Sequence, residues 1–212
     1  MLALYQSRNI QLLKQLDIAA LLVNNGISDP FSSRVTPKTG LGKILALGRL
    51  TLQKDPACYE KIVQQAQLGV HFTWVGDGEL RSVFANSPVD VTGWLSQSEV
   101  IDYLQKADVL ISTSRWEGLS LATLQAMACG LPLLLRRCAG NIDLLEHQGI
   151  GAGFDTVDEA VSILKSWQQQ PELVQQMSLE ARKVFLQHYT LQSMQMGYLN
   201  IYQSIMSSLI QE

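Results

Sequence analysis

Between Ile44 and Leu135 the chain repeats one pattern: a short apolar run, a stop at glycine or a small polar residue, then an amphipathic stretch of helical period. Few folds accommodate this. Short strands without polar alternation must be buried on both faces. Helices of ten or so residues between them carry the chain back to the same edge, which makes the strands parallel. The spacing predicts strands over 44–47, 71–75, 89–91, 109–113 and 133–135, with 18–23 as a further short buried strand closed by the Asn24-Asn25-Gly26 turn. Helices are predicted over 56–68, 79–85, 96–106, 119–129 and 142–147, and three more over 157–168, 171–188 and 191–209. Ser96 with Glu99 three residues on is a capping box for the third of these. Residues 2–16 carry a loose helical pattern, and 28–43 read as an irregular lead-in. The expected fold is therefore α/β, a Rossmann-like doubly wound parallel sheet of about six strands.

Composition narrows the partners. The 212 residues are 47% hydrophobic and 17% charged, with a formal net charge of −3, so no global basic field recruits nucleic acid. Cys58, Cys129 and Cys138 fall in no metal-ligand spacing and are read as reduced thiols. No apolar run approaches the length of a membrane span, and the N-terminus lacks the layout of a signal peptide. The expected location is cytoplasmic, with a peripheral contact at the inner face of a membrane left open.

In a doubly wound sheet the ligand lies outside the carboxyl ends of the strands, so those ends are where chemistry is sought. The first carries Gly48-Arg49-Leu50 and, five residues after Arg49, Lys54. A guanidinium and an ammonium converging there suit a diphosphate, although two solvated surface cations would satisfy these residues taken alone. The second carries Gly76-Asp77-Gly78. As a dinucleotide fingerprint it fails, because Arg81 stands where the third glycine belongs. The third is Ser114-Arg115-Trp116-Glu117-Gly118-Leu119-Ser120, followed by a helix that includes Gln125. Amides at the start of that helix favour an anion.

The stretch from Ser114 through Gln125-Ala126-Met127-Ala128 to Gly130-Leu131-Pro132 resembles the signature of the family 4 retaining glycosyltransferases, in the C-terminal donor domain of their GT-B fold. That signature is Glu, seven residues, Glu, then Ala-Met-Ala and Gly-x-Pro. Val23-Asn24-Asn25-Gly26-Ile27, Gly48-Arg49-Leu50 with Lys54, Val75-Gly76-Asp77-Gly78, Val91-Thr92-Gly93-Trp94 and Gly140-Asn141-Ile142-Asp143 resemble further family motifs in the same order. The resemblance implies a nucleotide diphosphate sugar donor, a UDP- or GDP-sugar, and transfer to a hydroxyl acceptor in polysaccharide, lipopolysaccharide or capsule synthesis. It implies no cofactor and no metal. Arg49 and Lys54 would hold the diphosphate and stabilise the leaving group, and Glu117 would contact the donor sugar, making these three the catalytic set. Amides of Gly118, Leu119 and Ser120 would face the sugar and distal phosphate, residue 125 the ribose, and the Gly93–Trp94 loop the base. Gly48, Gly76 and Asp77 complete the donor-binding set.

Two departures stand out. The second Glu of the signature is Gln125 here, an amide that accepts with one end and donates with the other. Complete family members also carry an N-terminal acceptor domain, so the resemblance assigns 1–27 to a crossing segment or remnant of that domain, 28–190 to the donor domain, and 191–212 to a helix packing back on the absent one. The acceptor domain would then act in cis or in trans. A nucleotide-sugar-binding module without catalysis, and a GT-B sugar-nucleotide 2-epimerase, are the competing expectations. The tract Arg136-Arg137-Cys138 has no explanation in the sequence.

Overall fold

In the computed structural model residues 2–4, 20–31 and 35–210 are described. Six strands form one parallel sheet: β3 (Lys43–Leu47), β4 (His71–Val75), β5 (Asp90–Val91), β6 (Val109–Ser112), β7 (Leu133–Arg136) and β8 (Gly151–Phe154). Their spatial order is β5-β4-β3-β6-β7-β8. The chain winds outward from β3 to β5, then returns to β6 and winds the other way. The switch point therefore lies between β3 and β6.

Helices cover both faces. On one side α1 (Pro56–Ala66) packs with α5 (Val157–Gln169) over a core that includes Ile44, Trp74, Ile111 and Leu134. On the other side α2 (Gln97–Lys106), α3 (Leu121–Ala128) and α6 (Pro171–His188) enclose Leu45, Val75, Leu110 and Leu133. Alternate residues of each strand thus enter opposite cores, which is why the runs carry no polar alternation. The short α4 (Ala139–Leu145) follows β7, and α7 (Leu191–Ile210) closes the described chain. The predicted capping box is present, with Ser96 N donating to Glu99 Oε2 at 2.8 Å.

Four expectations change. The strand 151–154 was not predicted, because Gly151 and Gly153 dilute its apolar signal. Gly151 is required there, since a Cβ would lie 1.9 Å from the Leu133 carbonyl oxygen of the neighbouring strand. The stretch read as a strand over 18–23 does not join the main sheet. Its described part, β2 (Ala20–Leu22), pairs in parallel with β1 (Leu2–Leu4). Residues 2–4, expected to be helical, are thus a strand, and 5–19 lie outside the described residues. The predicted helix over 79–85 is a single 3₁₀ turn, Arg81–Phe84.

Candidate functional site

The loops leaving β3 and β6 meet at the switch point and are hydrogen-bonded to each other. The Thr113 hydroxyl donates to the Lys54 carbonyl at 2.7 Å. Arg115 N donates to the Gln53 carbonyl at 2.8 Å, and Gln53 Nε2 donates to the Trp116 carbonyl at 3.0 Å. With the loops in this register, Lys54 Nζ forms an ion pair with Glu117 Oε1, and the Ser114 hydroxyl donates to the same oxygen at 2.7 Å. The two charged side chains are only 19% and 7% exposed, so their attraction is less screened than that of a surface pair. Gly118, Leu119 and Ser120 follow at once and lead into α3. Ser120 is its N-cap residue and makes no side-chain capping bond, so this side chain satisfies none of the first amides of the helix. Gln125 is half-buried on the accessible strip of α3, one turn beyond the exposed Leu121.

Arg49 takes a different direction from Lys54. Its guanidinium lies 5.6 Å from the centroid of the Trp94 ring, and Trp94 is 65% exposed. The structure therefore gathers Lys54, Glu117 and the Gly118–Ser120 amides in one place, and Arg49 with Trp94 beside it. Asp77 is engaged within its own loop: Oδ1 accepts from Gly78 N at 2.8 Å and Oδ2 from Arg81 Nη1 at 2.7 Å. Gly76 bridges to Gly93 in antiparallel fashion, which joins the β4 and β5 exits.

Backbone approaches backbone at these exits, and glycine makes that possible. Gly76 has φ +133°, and a Cβ on it would lie 2.2 Å from the Gly48 carbonyl oxygen. A Cβ on Gly140 would lie 1.5 Å from the Gly118 carbonyl oxygen. The start of α4 thus supports the Gly118 loop from behind. The core reaches the site as well, since Trp74 Nε1 donates to the Gly48 carbonyl at 2.8 Å. That indole stands in an edge-to-face cluster with Tyr59, at 5.3 Å between centroids.

Two groups of residues at the site escape sequence reasoning. Asp55, next to Lys54, is buried and accepts from both Arg115 Nε and Arg136 Nη1 at 2.8 Å. This accounts for Arg136; its neighbour Arg137 pairs instead with Asp155 and Glu159. Behind Gly118 and Leu119 lies a pocket of about 120 Å³, lined also by Asp143, Glu146, His147 and Tyr189. His147 Nε2 and the Tyr189 hydroxyl are 2.9 Å apart, and burial together with the neighbouring His188 lowers the His147 pKa. These partners lie tens of residues apart in sequence, and no local pattern signals their pairing. A wider groove of about 340 Å³, between Lys43, His71, Tyr103 and Lys106, is lined by the residues that open β3 and β4. It lacks the open helix start and the paired charges of the switch point, which is why we place the site at the latter.

A doubly wound parallel sheet whose β3 and β6 exits meet at the switch point defines a class: α/β domains in which ligands lie outside the carboxyl ends of the strands. Residues 43–166 match the family of glycosyl transferases group 1, and the chain belongs to that family. Among its relatives is the amylovoran biosynthesis glycosyltransferase AmsK of Erwinia amylovora, 31% identical over 130 residues, which are 56% of this chain and 30% of that protein. The fold is that of Anabaena HepE solved in complex with UDP, with TM-score 0.80 and 15% identity, covering 97% of this chain and 63% of that one. It also matches a mutant of S. aureus TarM solved with UDP and other ligands, with TM-score 0.80 and 16% identity, covering 94% of this chain and 43% of that one. The chain thus spans less than two thirds of the length of each of these relatives. Among the described residues no helix is long and apolar enough to cross a membrane.

Proposed function

We propose that this chain is the donor-binding part of a family 4 retaining glycosyltransferase, taking a UDP- or GDP-sugar and acting with an acceptor-binding domain supplied in cis or in trans. The observation that carries the reading is the meeting of the β3 and β6 exits at the switch point, where Lys54, Glu117 and the start of α3 converge. In the bound state Lys54 exchanges Glu117 for diphosphate oxygens, and the α3 amides face the distal phosphate. Arg49 swings from Trp94 to the same group, and the two cations stabilise charge on the departing nucleoside diphosphate without a metal. Glu117, released from Lys54, accepts hydrogen bonds from sugar hydroxyls. Gln125 meets the ribose, and the Gly93–Trp94 loop meets the base beside Gly76 and Asp77. Polysaccharide or capsule synthesis is the pathway class that a relative such as AmsK supports, and the cytoplasmic side of a membrane is the proposed place of action.

Thermal unfolding with a panel of nucleotide sugars tests this. A ligand that binds only the folded chain stabilises it by about 2.7 kcal/mol at a hundredfold excess over Kd. A rise in Tm with UDP- or GDP-sugars, absent with adenosine dinucleotides, is expected. No rise with any nucleotide sugar at millimolar concentration would overturn the proposal.

A further inference from the structure

Asp55 is a buried carboxylate in an unusual backbone conformation. It is 6% exposed and occupies the left-handed region, with φ 51° and ψ 63°, where most side chains other than Asn and Asp are strained. It caps α1 by accepting from Cys58 N at 3.3 Å. Capping alone requires one oxygen and no arginine. Here the other oxygen receives two guanidiniums, Arg115 from the β6 exit and Arg136 from the end of β7, both at 2.8 Å. Arg136 Nη1 also reaches the Thr113 carbonyl at 3.5 Å, and the Thr113 hydroxyl in turn holds the carbonyls of Lys54 and Asp55 at 2.7 and 3.2 Å. Burial pushes the Asp55 carboxyl upward, but the bonds from Arg115 and Arg136 outweigh it and hold the group below the usual carboxylate range.

The cluster thus fixes the backbone on the carboxyl side of Lys54 from three directions. We propose that Arg136, acting through Asp55, is a positioning residue for Lys54, holding its ammonium where the diphosphate of the donor binds. This rests on the donor-binding reading above. Lys54 has a flexible four-carbon stem, and a cation on such a stem binds a fixed anion well only if its base is fixed. The Lys54 Nζ–Glu117 contact and the Thr113 grip are the visible result.

A double-mutant cycle tests the proposal, with calorimetry of UDP and GDP binding to the full chain. The variants are Arg136→Met, Lys54→Met and their combination, with Arg136→Lys and Asp55→Asn alongside. Residues that act through one another give non-additive losses. Arg136→Met is expected to weaken nucleoside diphosphate binding about tenfold when Lys54 is present and less than about twofold when it is Met. Asp55→Asn should reproduce the loss, and Arg136→Lys should recover part of it. A general structural role would lower Tm in both backgrounds without this selectivity in affinity. Equal weakening in both backgrounds would mean that Arg136 touches the ligand itself, and no weakening would mean that it does not position Lys54; either overturns the inference. If Arg136→Met fails to fold, Asp55→Gly, which suits the left-handed backbone but lacks the carboxylate, must show the same dependence on Lys54. A wild-type chain that binds neither UDP nor GDP removes the donor-binding reading and this inference with it, whereas binding with additive losses removes the inference alone.

Discussion

Glu117→Gln should tighten the binding of a bare nucleoside diphosphate. In the structure Lys54 is paired with the Glu117 carboxylate, and both are largely shielded from water. A diphosphate must displace that carboxylate before it gains the ammonium. A charge-assisted hydrogen bond of this kind contributes about 1.5–3 kcal/mol. The phosphate recovers some of it by taking the same ammonium, so the opposing cost is about 1–2 kcal/mol. Gln keeps the shape and can still accept from Ser114, which donates to Glu117 Oε1 at 2.7 Å, but it holds Lys54 less strongly and repels no phosphate. Isothermal titration with UDP and GDP should therefore give a Kd about fivefold to thirtyfold lower for Glu117→Gln than for wild type. With an acceptor domain supplied, the same variant should turn over more slowly, because the proposal puts the carboxylate at the sugar in the transition state. An unchanged or weaker diphosphate affinity would refute the view that Lys54 is withheld by Glu117.

Other outcomes follow from the same geometry. Gly140→Ala should cost about 3 kcal/mol or more in urea unfolding and abolish nucleotide binding, because its Cβ would collide with the Gly118 carbonyl; a near-neutral change would show that the α4–Gly118 packing is not rigid. Gln125→Glu, which places a carboxylate where the proposal puts the ribose, should tighten nucleoside diphosphate binding by about 0.5–1.5 kcal/mol in calorimetry, and a loss of affinity would place the ribose elsewhere. His147 has its pKa depressed below the ordinary histidine value by burial and by His188. The unfolded chain therefore binds that proton first, and the stability present above the unfolded pKa is lost as pH falls toward the folded one. His147→Gln should flatten the decline of Tm between about pH 7 and 5; an unaltered pH profile would remove His147 as its source.

The strand exits could be read from the sequence because each ends at residues with a local signature: Gly48 before Arg49, Gly76-Asp77-Gly78, and Glu117-Gly118 before a helix. The pattern of buried strands and amphipathic helices likewise announces a parallel sheet. Sequence order does not say which exits become neighbours. Lys54 and Glu117 meet only because β6, although two strands later in the chain, returns to lie directly beside β3. Arg136 reaches Asp55 across 81 positions and His147 reaches Tyr189 across 42, and such pairs leave no periodic trace. The β8 strand was hidden for a different reason. Gly151 serves close contact with β7 and Gly153 makes room for the Leu145 and Arg137 side chains, and both lower the apolar signal that reveals a strand.

The position of a bound nucleoside diphosphate tests the proposed donor site most directly. Titration of the ¹⁵N-labelled chain with UDP and GDP, followed by amide shifts, locates it. Saturable shifts are expected at Arg49, Lys54 and Gly118 to Ser120, with smaller ones at Gly93 and Trp94, and these should vanish in Arg49→Ala/Lys54→Ala. Shifts centred instead on the groove of Lys43, His71 and Lys106, or none at either place, would contradict a donor site at the meeting of β3 and β6.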